Sequence, residues 1–103
     1  MTELVIKITL NVAEGNNSLV GELTRHTIMQ ISKNNIKQLT SQQCATVNLS
    51  QVTRIDTAGL AWIFFLLEQA NSVSCQLSFS NIPTKLNKLI SLSGVDGFLP
   101  VHS

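Results

Sequence analysis

The chain has 103 residues, enough for one hydrophobic core but not for two, so we expect a single domain over residues 1–103. Its net charge of +1 and charged fraction of 13% argue against nucleic acid or an anionic membrane as the main ligand. The longest apolar run, residues 60–67, is far shorter than the roughly 18–20 residues that span a bilayer. With no signal peptide at its start, the sequence predicts a cytoplasmic protein.

The first third of the chain predicts a β-hairpin followed by a helix. Residues 4–12 alternate and are rich in β-branched side chains, which favours a strand. The turn signal at residues 14–17 leads into a second predicted strand at 18–23. Residues 24–40 have helical spacing of isoleucines, and Thr27 with a glutamine three positions later predicts a capping box near the start.

The rest of the chain predicts a βαβ unit and a final helix. Residues 44–50 carry no charge, which favours a central strand buried on both faces. A helix at 57–71 and a strand at 75–82 complete a unit whose two strands should be parallel with a right-handed crossover. Pro83 opens the last helix and Gly94 ends it. The sum predicts an α/β domain: a mixed sheet of about four strands with helices packed mainly on one face.

Residues able to carry chemistry are few. Cys44 and Cys75 each sit in an apolar or β-like run and are interpreted as two buried thiols rather than a disulfide. His26 and His102 are interpreted as surface residues, and the spacing offers neither a nucleophile–base pair nor a metal cluster. The sequence therefore predicts a protein that is not an enzyme and has no cofactor.

The start of the helix at 57–71 is the most informative stretch. Asp56 is expected to be its N-cap, because a carboxylate there accepts from amides two or three residues on and suits the positive helix end. Gly59 is unfavourable in a first turn, which indicates close approach of another backbone or tight packing on the sheet. Thr57 follows the cap and is interpreted as a residue that starts the helix. Its hydroxyl could also contact a partner or accept a phosphate.

This helix is apolar almost all the way round, so its direction is read from a helical wheel. One arc is expected to face the core, consisting of Leu60, Ile63, Phe64 and Leu67. The opposite side is expected to carry Ala58, Ala61, Trp62, Phe65 and Gln69. Two adjacent outward aromatic rings are typical of an interaction site. Burial of these rings by the other helices is the alternative.

The stretch at residues 47–61, VNLSQVTRIDTAGLA, resembles the signature of STAS domains, in which a buried strand leads into Asp-Ser/Thr-x-Gly-Leu and a helix. Residues 18–23 and 86–94 are similar to the second strand and penultimate helix of that family. The resemblance implies a STAS-like (SpoIIAA-like) sheet and a protein-binding module without catalytic activity. In anti-sigma factor antagonists of this family, the residue matching Thr57 is phosphorylated by a partner kinase.

Within the family, the short end after Gly94 and the loop from Arg54 to Ala61 resemble the STAS subunits of Mla-type phospholipid ABC transporters. The resemblance implies that a transporter ATPase, assembled with its permease, is the partner. It also implies a peripheral position at the inner membrane and a role in outer-membrane lipid asymmetry. Ala58 departs from the glycine or serine common in related sequences. Self-association of the isolated chain stays open.

The alternative is an anti-sigma factor antagonist controlled by phosphorylation of Thr57. The expected partner contacts are Thr57, Ala58, Ala61, Trp62 and Phe65, with Asp56 and Gly59 shaping the loop.

Overall fold

A four-stranded sheet organises the computed structural model, which describes residues 6–13, 16–94 and 100. Its strands, in spatial as well as chain order, are β1 (Ile8–Asn11), β2 (Asn17–Leu23), β3 (Cys44–Ile55) and β4 (Gln76–Ser80). β1 is antiparallel to β2, whereas β2, β3 and β4 run parallel to one another. The helices are α1 (Lys33–Thr40), α2 (Thr57–Ser72) and α3 (Thr84–Leu92), with a 3-10 turn at Ile28–Gln30. The predicted fold class is confirmed.

One face of the sheet carries the core and the other is polar. In β3, Val47 and Leu49 have no exposed surface, whereas Thr46 between them is only half-buried. The Thr46 hydroxyl lies 3.1 Å from the hydroxyl of Ser78 on β4, so the two bond across the open face. The prediction that residues 44–50 are buried on both faces is therefore wrong. The segment lacks charge, but its small polar side chains alternate with the apolar ones and point away from the helices.

The predicted helix at residues 24–40 is shorter in the structure and begins at Lys33. Thr27 makes no helix-capping bond. Its buried hydroxyl donates to the Glu22 carbonyl oxygen at 2.6 Å and accepts from the Thr24 amide at 3.0 Å. These bonds hold the chain in a compact loop after β2, and such local side-chain bonding competes with helix formation. Ser32 is the actual N-cap of α1 and accepts from the amide two residues on.

The two ends of the described chain follow the sequence pattern. Within the predicted strand at 4–12, β1 covers Ile8–Asn11, while residues 4 and 5 lie outside the described residues, as do 14 and 15 of the predicted turn. Gly94 follows α3 with φ +71°, the left-handed conformation expected of a helix-ending glycine. Beyond it, the Pro100 carbonyl accepts from the Phe79 amide at 3.0 Å, so the chain returns to the outer edge of β4.

The two cysteines differ in environment. Cys75 is buried as predicted. This burial raises the pKa of the Cys75 thiol, and the nearby Cys44 thiol raises it further by a smaller amount. Cys44 is exposed, so its predicted burial is wrong. It is the first residue of β3, and its sulfur lies on the polar side, 3.4 Å from the side-chain oxygen of Gln76. Being the first residue of a strand leaves it at the margin of the packed region.

A close contact between β2 and α2 fixes where the central helix begins. A Cβ atom added at Gly59 would overlap the carbonyl oxygen of Leu23, the last residue of β2. The same carbonyl accepts from the Asp56 amide at 3.4 Å. Both explanations for Gly59 apply, because the backbone that approaches it closely is that of the sheet itself. Among the described residues, none of the helices has the length and apolarity needed to cross a bilayer.

Replacing Gly59 with alanine is expected to lower the free energy of unfolding by about 1–3 kcal/mol, because the added methyl must displace the backbone of β2. Urea denaturation measures the loss. Gln69→Ala, at an exposed position of the same helix, is the matched control and should stay within about 0.5 kcal/mol of the parent. Equal effects of the two substitutions would contradict the proposed contact.

Candidate partner-binding site

The candidate site lies where the carboxyl ends of β2 and β3 meet. Because these strands are parallel neighbours, the residues after Leu23 lie beside those after Ile55. A depression forms between them, lined among others by Arg25 and His26 from the first segment and by Asp56 and Thr57 from the second. The carboxyl end of the strands is the usual position of binding sites in an open α/β sheet.

Asp56 connects the two segments. One carboxylate oxygen (Oδ1) accepts from the Gly59 amide at 2.9 Å, as the predicted N-cap of α2. The other oxygen (Oδ2) accepts from the Arg25 amide at 3.1 Å, which the sequence did not predict. Burial alone would raise the pKa of Asp56, but bonds from the Gly59, Arg25 and Ala58 amides, with the charge of Arg25, outweigh it and lower this pKa. Asp56 is therefore a structural anion that fixes the shape of the depression.

Thr57 is exposed at the first position of α2, in the same depression. The cationic side chains of Arg25 and Arg54 also line it, together with the carboxylate of Glu22. The Arg25 side-chain nitrogen lies 3.4 Å from His26 Nε2. The Thr57 hydroxyl is therefore accessible to a partner, in surroundings that hold charges of both signs.

Most of the predicted contact residues share one face of α2. Thr57, Ala61 and Phe65 are exposed and Ala58 is half-buried, and all four fall within about 100° of arc on the helix. Phe65 leaves 43% of its surface open to solvent. These four residues are called the α2 surface below. Beyond Phe65 the α2 surface continues into a groove that Phe64, Glu68 and Leu77 of β4 help to line.

Trp62 does not belong to the α2 surface, so its predicted outward position is wrong. Only 7% of Trp62 is exposed, and it belongs to the main core with Ile63 and Leu66. The buried arc of α2 is rotated by about 70° from the predicted one, and half-buried Phe64 lies at its margin. A helix apolar on nearly all sides does not define this rotation. The rotation is set by the elements that pack around α2, which are β3 and β4 of the sheet, the 3-10 turn, α1 and α3.

Arg25 and His26 are the residues of the site that sequence reasoning missed. They stand about thirty positions before Asp56, in a stretch interpreted as helix. Their place beside Asp56 follows from the parallel pairing of β2 with β3, which joins the ends of both strands at one edge. The available signal was therefore the topology rather than any local motif. Among the described residues, no cluster of side chains is suited to hold a metal ion.

Comparison with known proteins places the chain in a family. A family model described as "Mlab, STAS domain" matches residues 8–100. The chain therefore belongs to this family of STAS domains, as the motif at residues 47–61 indicated. STAS domains interact with partner proteins and are generally regulators without catalytic activity. A search of curated proteins found no match.

Among solved structures, the chain is similar to SpoIIAA, described as a Bacillus cell fate determinant in its phosphorylated form. The TM-score is 0.58 over 93% of this chain and 91% of that one, at 17% sequence identity. At this identity the likeness supports the fold alone. The shared architecture is the mixed four-stranded sheet with three helices.

Stability should depend on the charge of Asp56 in a defined pH range. Because folding lowers the pKa of Asp56 from 3.8, the ionised carboxylate stabilises the fold above that pH. This stabilisation should disappear as the pH falls through the lower folded value. Asp56→Asn retains an N-cap acceptor but not the charge, so it should unfold more easily than the parent at neutral pH.

Denaturation of the parent and of Asp56→Asn across acidic and neutral pH measures this effect. The difference in free energy of unfolding should stay constant at neutral pH and shrink below about pH 3.8. A difference that grows on acidification would contradict the assigned role of the carboxylate. Amide exchange at Arg25 and Gly59 gives a local check, because both amides lose a charged acceptor in the variant.

Proposed function

We propose that this protein is a non-enzymatic regulatory subunit that binds the ATPase of an Mla-type phospholipid ABC transporter. The observation that carries the proposal is the α2 surface, where Phe65 and Ala61 stand exposed in line with Thr57. An aromatic ring left 43% open beside small residues can enter a pocket of a partner while its neighbours permit close approach.

The family supports the choice of partner. The matching model is described as "Mlab, STAS domain", and the loop from Arg54 to Ala61 resembles the STAS subunits of these transporters. We propose that the ATPase covers the α2 surface within the complex that includes the permease. The subunit would then lie in the cytoplasm, peripheral to the inner membrane, and support transport that maintains outer-membrane lipid asymmetry.

Phe65→Ala is expected to weaken binding to the ATPase by about 1–2 kcal/mol, roughly five- to thirtyfold, because the ring would be an interface anchor. Titration calorimetry with the purified ATPase measures the change. The matched control is Leu92→Ala on α3, where an apolar side chain is 85% exposed but lies outside the α2 surface. Binding of Phe65→Ala at the parent affinity would rule out the α2 surface as the interface.

Trp62→Ala separates packing from binding. Because Trp62 is buried, its loss should reduce the free energy of unfolding by about 3–5 kcal/mol, whether or not a partner is present. Phe65→Ala should stay within about 1 kcal/mol of the parent in the same urea denaturation. Of these two neighbouring aromatic residues, the loss of Trp62 would mainly lower stability, whereas the loss of Phe65 would mainly lower affinity for the ATPase.

A second candidate function is that of an anti-sigma factor antagonist switched by phosphorylation of Thr57. The observation that favours it is the exposed Thr57 hydroxyl at the start of α2, with Arg25 and Arg54 lining the same depression. These cations and the helix end would stabilise a phosphate, whereas Asp56 and Glu22 would oppose it.

Intact-mass measurement of the protein purified from growing cells distinguishes the two functions. The transporter subunit should be recovered at its unmodified mass. A persistent form heavier by about 80 Da, absent from Thr57→Ala, would instead support the phosphorylation switch. Thr57→Ala is suitable for this comparison because the side chain is exposed and alanine is compatible with the first turn of a helix.

A further inference from the structure

The end of β3 has a strand partner on one edge only among the described residues, and the proposed function does not use the other edge. The β3–β4 ladder ends where Asn48 faces Ser80, but β3 itself continues to Ile55. Over these last residues β3 pairs with β2 on one side, and β2 is its only strand partner among the described residues. An unpaired strand edge offers a row of amide and carbonyl groups to another chain.

A cleft lies along this edge of β3. Four consecutive residues of β3, from Val52 to Ile55, line it opposite Pro83–Lys85. Side chains alternate between the faces of a strand, so a surface touched by four in succession is the edge of the strand. The cleft measures about 150 Å³ and separates this part of β3 from Pro83–Lys85. This region, residues 50–55 with Pro83–Lys85, is called the β3 notch below.

The charges at the β3 notch select the kind of chain that would pair with it. Arg54 and Lys85 both line the cleft and both are exposed. The acidic groups near Arg54 are Glu22, opposite it in the β2–β3 register, and Asp56, which lines the depression at Thr57 with both. Neither carboxylate lines the cleft. A second copy of this chain paired edge to edge would place two copies of this cationic pair close to each other. An acidic strand meets complementary charge instead.

We propose that the β3 notch binds an extended acidic segment of the partner protein, which adds to the sheet as a strand beside β3. Apart from Ser50, whose amide already donates to the Asn48 side-chain oxygen at 2.8 Å, the open backbone supplies hydrogen bonds along the segment. Arg54 and Lys85 select acidic side chains. Arg54 also lines the depression at Thr57, so one partner can cover the α2 surface and the notch together. Only this identification of the partner rests on the proposed function.

Three synthetic octapeptides test the proposal. Each is titrated into the isotopically labelled full chain, and the amide signals of the chain are monitored by NMR. The first alternates Glu and Val, the second alternates Lys and Val, and the third alternates Glu and Pro. The Glu–Val peptide should shift the amides of residues 50–55 and 84–85 in a saturable manner. The Lys–Val peptide lacks the charge and the Glu–Pro peptide lacks the amides for strand pairing, so neither should bind there.

The double variant Arg54→Glu, Lys85→Glu should bind the Glu–Val peptide about tenfold more weakly or worse, because two attractions become repulsions. Lys33→Glu, Lys37→Glu is the matched control, with two exposed lysines of α1, and should bind as the parent does. Absence of a saturable shift, equal shifts with all three peptides, or shifts elsewhere would overturn the proposal. Shifts of residues 50–55 that depend on protein concentration without peptide would assign the edge to a second copy and also overturn it.

The peptide titration and the Phe65→Ala experiment fail separately. The titration uses this chain without the ATPase, so a failure of the proposed function would leave its result unaffected. If the peptides fail to bind while Phe65→Ala still weakens ATPase binding, the β3 notch is excluded and the α2 surface is retained.

Discussion

The candidate site depends on the hydrogen bonds that the Asp56 carboxylate accepts. Its two oxygens accept amide hydrogens from two separate segments, one at Arg25 and one at Gly59. A single side chain thereby caps α2 and holds the loop after β2 against it. The hydrogen bonds favour the ionised form strongly enough to overcome partial burial, which is why the pKa of Asp56 falls. A neutral residue at this position would retain the helix but loosen the connection.

Close packing beneath this anion completes the constraint. Gly59 brings the first turn of α2 so near the end of β2 that a methyl group would meet the Leu23 carbonyl. The first turn of the helix is therefore held tightly against the end of β2, and the exposed residues Thr57, Ala61 and Phe65 follow from this start. A preorganised surface loses less entropy when a partner binds, which suits a member of a family that interacts with partner proteins.

The two potential binding features, the depression at Thr57 and the edge of β3 around Arg54, lie at the same end of the sheet. Parallel β2 and β3 terminate beside the depression at Thr57. The early end of β4 leaves one edge of β3 without a strand partner around Arg54, as far as the described residues go. Arg54 belongs to both regions, so a partner contacting the α2 surface would lie close to an open backbone edge. The arrangement follows from unequal strand lengths, because β3 extends to Ile55 whereas β4 ends at Ser80.

The sequence by itself determined the order of the elements from β2 onward, the parallel β3–β4 unit and the cap at Asp56. These depend on local periodicity, turn residues and capping chemistry, which act over a few positions. Only the tertiary structure decided how α2 is rotated, and so buried Trp62 while leaving Phe65 exposed. A helix apolar on nearly every side has no preferred inward face of its own, and its neighbours choose one. The meeting of Arg25 with Asp56 likewise required the pairing of two distant strands, which no local pattern encodes.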